Sequence, residues 1–169
     1  MKSLIYITNL FPPSEAVWLS KEAECFLITN GKITSVLPGD SCCPDEKDNP
    51  VWIYLLQGSS EDGLAGVSGV SVGNGREIGG WCTYQYTIAV PRRFVVRNCE
   101  ELINGQAPEE LVRRKMNEVL LALLREPTAA TTPPDLLASA LKKTAGHELE
   151  DMGIRLISCR LERIVISSR

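Results

Sequence analysis

Apolar and polar residues alternate through "GWCTYQYTIAV", Gly80 to Val90, which predicts a strand with two unlike faces. Trp81, Thr83, Gln85, Thr87 and Ala89 point one way. Cys82, Tyr84, Tyr86, Ile88 and Val90 form the more apolar side. Earlier in the chain, "LIYITNLF" is rich in strand-forming residues. "ECFLIT" and "KITSVL" flank Asn30-Gly31, and that pair predicts a tight hairpin, because a type I′ turn needs positive φ at both central residues. "PGDSCCPDEKDNP" is turn-rich and charged, so a loop is expected. "VWIYLLQG" is almost continuously apolar, which predicts a strand buried on both faces.

Beyond Pro91 the period changes. "RRFVVRNCEELING" predicts a short helix closed by Asn104-Gly105. Pro108-Glu109-Glu110 opens a longer one, with proline in the first turn and acids at the positive end of the dipole. Its apolar face is Leu111, Val112, Met116, Val119, Leu120, Leu123 and Leu124, and Pro127 ends it. "TAATTPP" is a connector. Thr132 to Asp135 forms a capping-box-like entry to a third helix, with Pro133 at its first position. Leu137, Leu141, Ala145, Leu149 and Met152 make one stripe along that helix. Gly153 is expected to stop it in a left-handed conformation. In the following strand Ile157, Cys159 and Leu161 share a side, and the phase shifts before Ile164 and Ile166, which predicts a bulge or a change of covered face.

These elements predict one α+β domain over 1–169: an antiparallel or mixed β-sheet in the N-terminal half, helices packed on one face, and a returning C-terminal strand. Composition agrees with a globular chain, at 44% hydrophobic and 23% charged residues. Eighteen Lys and Arg against 21 Asp and Glu give a formal net charge of −3, which argues against a dedicated nucleic-acid binder. No run approaches the ~20 apolar residues of a membrane span. The N-terminal stretch lacks a cleavage signature and reads as a strand, so a cytoplasmic protein is expected.

Candidate chemistry is sparse. The six cysteines form no C-x-x-C pair, and His147 is the one histidine, so zinc-site spacings are missing. Cys25, Cys82 and Cys159 fall inside apolar runs as small hydrophobes. Cys42-Cys43 sits in the polar loop, where a redox or soft-metal role is the chemical alternative to two bland thiols. The glycine-rich segment 58–80 has neither the P-loop lysine nor the G-x-G-x-x-G fingerprint. It reads as a mobile loop, or as irregular strands passing close to another backbone. His147 lies ~120° from the middle of its helix's apolar stripe, at ~100° per residue. Glu148, Glu150 and Asp151 beside it read as a charged outer face. No catalytic, cofactor-binding or metal-binding residue is nominated.

Three segments carry a family resemblance: "AECFLITNGKITSVLPGD", "GGWCTYQYTIAVPRRFV" and "LASALKKTAGHELEDMGIRLISCRLERIVI". From Ala23 to Ile166 the chain resembles the SPFH, or band-7, domain of stomatins, prohibitins and flotillins. It is similar in type to bacterial SPFH proteins without a transmembrane helix, described as virion-core-protein-like. Val90 departs from the pattern, where the family often has Asp before the proline. The chain also stops at Arg169, where family members usually continue into a long helix or coiled coil.

The resemblance implies a non-enzymatic scaffold that self-assembles into a ring, cage or array, or recruits a partner protein. It implies no cofactor and no nucleic acid. The alternatives are a peripheral membrane or partner-docking module, using Phe11 and Trp18 of the apolar N-terminal stretch, and a cryptic enzyme or soft-metal site near Cys42-Cys43.

Overall fold

The computed structural model describes residues 7–8, 23–36, 47, 50–56, 60–72 and 75–168. Cys42, Cys43, Phe11 and Trp18 lie outside the described residues, and so does most of "LIYITNLF". Seven strands and four helices follow in the order β1 (Ile7–Thr8), β2 (Ala23–Thr29), β3 (Lys32–Val36), β4 (Val51–Leu56), β5 (Ser60–Ser71), β6 (Arg76–Ile88), α1 (Pro91–Arg97), α2 (Cys99–Ile103), α3 (Pro108–Arg125), α4 (Pro134–Asp151) and β7 (Ile154–Ser168). The fold is α+β, and every strand pairing among the described residues is antiparallel.

The strands divide into two sheets, ordered β1-β4-β2-β3 and β5-β6-β7. Asn30 and Gly31 turn the β2–β3 hairpin with φ of 49° and 74°, as the I′ requirement predicts. Strand β4 is buried on both faces. Val51, Ile53 and Leu55 enter the main core, while Trp52 and Tyr54 join Cys25, Leu27 and Val36 in a second cluster. Residues one apart on a strand point to opposite faces, so a continuous apolar run requires two covers.

The main core joins the sheets. Phe26, Ile28 and Ile53 of the first belong to the same cluster as Cys82, Tyr84 and Ile88 of the second. Helices α3 and α4 bury Leu111, Val112, Met116, Leu120 and Leu124, and Leu137, Leu141, Ala145 and Leu149. These stripes lie against one face of β5-β6-β7, with α3 over β5 and α4 over β7.

Of the two alternatives for the glycine-rich segment 58–80, the structure takes the strands across its described part: an extended hairpin of β5 and the start of β6. Cross-strand pairing overrides the weak strand propensity of glycine, and a register shift between Val67 and Val70 absorbs Gly69 at φ 68°. Three local expectations need correction. "RRFVVRNCEELING" is two short helices, broken at Asn98 (φ −121°), whose buried amide donates to the Phe94 carbonyl at 2.8 Å. Helix α4 begins at Pro134, not Pro133, and has no side-chain cap. Thr132 stands one residue before the N-cap position, which is Pro133, and its hydroxyl donates backwards to the Thr128 carbonyl at 2.8 Å. Val90, placed on the apolar side of β6, is exposed and serves as the N-cap of α1.

Candidate interaction face

Helices cover the inner face of β5-β6-β7, and the outer face carries exposed apolar residues. Register fixes the rows of that face. Asp62, Gln85 and Ser158 stand side by side, then Leu64, Thr83 and Arg160, then Gly66 opposite Trp81. Leu64 is 59% exposed and Trp81 38%, large values for side chains that favour burial. Val165, opposite Gly79, and Ile157 add two further exposed apolar groups. Gly66 stands opposite Trp81 across the β5–β6 ladder, and a Cβ there would come within 3.2 Å of the Trp81 Cβ.

Strand β7 reaches this geometry through two bulges. Trp81 opposes Arg163 while Cys82 opposes Leu161, which leaves Glu162 as the extra residue. Gln85 opposes Ser158 while Tyr86 opposes Leu156, which leaves Ile157 as another. The first is the phase shift expected before Ile164. The second corrects the expectation that Ile157 shares a side with Cys159 and Leu161: the bulge turns it into solvent. Glu162 is held on the outer side, accepting from the Thr83 hydroxyl at 2.7 Å and standing 4.0 Å from the Arg160 guanidinium.

The two edges of this sheet differ in charge. Strand β5 contains Glu61 and Asp62 and no Lys or Arg; β7 contains Arg155, Arg160 and Arg163 against Glu162. The β5 edge is partly dressed by α3, where the Asn117 side chain accepts from the Gly66 backbone N–H at 2.8 Å. Alternate residues of an edge strand point their backbone groups outwards, so Leu64 and Asp62 share that orientation with Gly66.

His147 and the carboxylates beside it lie on another part of the molecule, on α4. His147 is exposed. Glu148 stands 3.7 Å from Lys115 of α3, which also pairs with Glu118 at 2.9 Å, and that closer bond holds the lysine pKa up. The Glu150 carbonyl accepts from the Arg93 guanidinium at 3.2 Å and from the Gly153 N–H at 2.9 Å. These contacts tie α4 to α3 and α1. A groove of about 300 Å³ beside them is lined by Val90, Arg93, Glu150, Gly153 and Arg155.

Among the described residues, no three His, Cys, Asp or Glu side chains converge on a point, and no helix is long and apolar enough to cross a membrane. The uneven charge of β5 and β7 was readable in sequence; their placement at opposite edges of one sheet was not. Neither a protein-family model nor a curated protein matches the chain.

Proposed function

We propose that the chain is a scaffold domain of the SPFH type, without enzymatic activity, that assembles head to tail with further copies of itself. The β7 edge and outer face of one copy meet the β5 edge of the next. The observation that carries this is the charge asymmetry of the two edges, flanking an outer face that exposes Leu64 and Trp81. Two β7 edges together would set arginines against arginines, and two β5 edges would set acids against acids; like charges across a ladder repel. Only the heterologous pairing is complementary, and such contacts build rings when they close and filaments when they do not. The resemblance to the SPFH domain in the sequence supports the same reading.

Light scattering after size exclusion tests it. The full chain is expected to run as a multimer at tens of micromolar, and a strict monomer at high micromolar concentration overturns the proposal. Arg160→Glu and Asp62→Arg are each expected to weaken association roughly tenfold, because exchanging attraction for repulsion costs about 1.4 kcal/mol. Mixing the two variants restores assembly, since each then offers the edge that the other needs. A dimer as the largest species would mean a two-fold interface instead. Binding to liposomes by the monomer instead would favour the peripheral membrane reading.

A further inference from the structure

Cys82 and Cys159 lie far apart in the chain and meet on the inner face of the β5-β6-β7 sheet. Cys82 opposes Leu161 and Tyr84 opposes Cys159, so the two cysteines are diagonal neighbours across the β6–β7 ladder. Both are free thiols. Each thiol is near enough to shift the other's pKa. Cys82 is 0% exposed, whereas Cys159, on the edge strand, is only half-buried.

We propose that Cys159 and Cys82 form a peroxide-oxidisable dithiol, in which Cys159 is the attacking thiol and Cys82 the resolving one. The division of labour follows from the surroundings. The hydrogen bond from the Cys82 thiol holds the Cys159 pKa below the usual thiol range; burial opposes this, and the Lys142 ammonium on α4 assists it. The same bond, then burial, pushes Cys82 up, so Cys82 keeps its proton. Tyr84 faces the pair from the same side of the sheet: both Cys82 and Cys159 raise its phenol, after burial, to about 12, while the Glu162 charge on the outer side raises Cys82. A half-buried thiol of lowered pKa beside a second thiol is the arrangement that oxidises selectively.

Hydrogen peroxide is the oxidant. The Cys159 thiolate attacks one peroxide oxygen, an S–O bond forms as the O–O bond breaks, and the departing hydroxide takes up a proton to become water. The sulfur is oxidised by two electrons to a sulfenic acid. Cys82 Sγ then attacks that sulfur, an S–S bond forms, the S–O bond breaks, and hydroxide leaves with the Cys82 proton as a second water. The sum is dithiol plus hydrogen peroxide giving disulfide plus two waters. Diagonal positions in a regular ladder stand ~7–8 Å apart at Cα, beyond the usual ~4.4–6.8 Å of a disulfide. Closure therefore draws β6 and β7 together, and bulges at Ile157 and Glu162 on either side of the pair supply the slack. A bond under such tension is easily reduced again.

Treating the purified full chain with hydrogen peroxide, followed by alkylation and peptide mass mapping, tests the proposal. The expected product is a Cys82–Cys159 linked peptide that dithiothreitol reverses. Before oxidation, iodoacetamide should label Cys159 roughly tenfold faster than Cys99, whose pKa burial raises. Cys82→Ala should halt the reaction at a dimedone-reactive Cys159. If that variant does not fold, Cys159→Ser, at the less buried position, should leave Cys82 unmodified by peroxide. Labelling of Cys159 no faster than Cys99, or a Cys42–Cys43 disulfide with the other pair still reduced, would overturn the proposal. Because Cys159 lies on the β7 edge, the labelling is compared at concentrations below and above that of assembly, and the monomer is where the expected rates apply.

Discussion

Gly153→Ala is expected to lower the unfolding free energy by about 2–5 kcal/mol. Two costs add. Gly153 has φ of +80°, and a Cβ in the left-handed region costs about 1–2 kcal/mol. The second cost is space. A Cβ there would stand 2.5 Å from the Val90 carbonyl oxygen and 3.0 Å from the Phe94 nitrogen, both backbone atoms that cannot rotate aside. Overpacking of this kind costs about 1–3 kcal/mol. The approach is close because the Gly153 carbonyl accepts from the N–H groups of both Ala89 and Val90, at 2.9 Å each, binding the end of α4 to the end of β6. Gly105→Ala separates the two costs. Gly105 has φ of +81°, and a Cβ added there would meet nothing within 4 Å, so it should lose only the conformational part, about 1–2 kcal/mol. Urea unfolding of both variants measures the difference. Equal losses at the two positions would remove the steric term. For a domain whose total stability is about 5–15 kcal/mol, the Gly153 change threatens folding outright.

Phe94→Ala is expected to cost about 3–5 kcal/mol, the usual loss for a fully buried aromatic ring truncated to alanine. Phe94 is 0% exposed and belongs to the core cluster that contains residues of both sheets. Helix α1, which carries it, touches β2 of the first sheet, while its Phe94 N–H bonds the Val90 carbonyl beside the Gly153 junction. The cavity left by truncation therefore opens between the sheets. Unfolding followed by tryptophan fluorescence and by circular dichroism should give one shared transition, moved to lower urea, because Trp52 reports on the first sheet and Trp81 on the second. Two separated transitions would mean that the sheets fold as independent units, against the single domain expected from sequence.

What could be read from the sequence was short in range. The stripe Leu137, Leu141, Ala145 and Leu149 is a property of one helix and is buried as its spacing predicts. Asn30-Gly31 forms its turn because two adjacent residues meet the φ requirement themselves. Local patterns mislead, or leave a choice open, where a neighbour distant in sequence intervenes. Alternation puts Ile157 on one side with Cys159 and Leu161, and a bulge opposite Gln85 and Tyr86 turns it outwards. Composition leaves the glycine-rich stretch a loop or irregular strands, and pairing with β6 makes it a strand. Spacing makes Thr132 the entry cap, and the helix begins one residue later, with Pro133 in that position.

By itself, then, the amino-acid order determined most of the helices and strands, where proline and glycine stop them, and which side of the long helices is apolar. Those properties depend on residues a few positions apart, through backbone sterics and the periods of about 2.0 and 3.6 residues. Only the tertiary structure decided that the strands divide into two sheets, that β7 returns to β6 rather than closing the first sheet, and that Cys159 lies beside Cys82. It also set acidic β5 and basic β7 at opposite edges, with Trp81 on the outer face between them. Strand partners and register are chosen by the burial of whole faces at once, and that choice is made by the packed chain rather than by any local stretch of it.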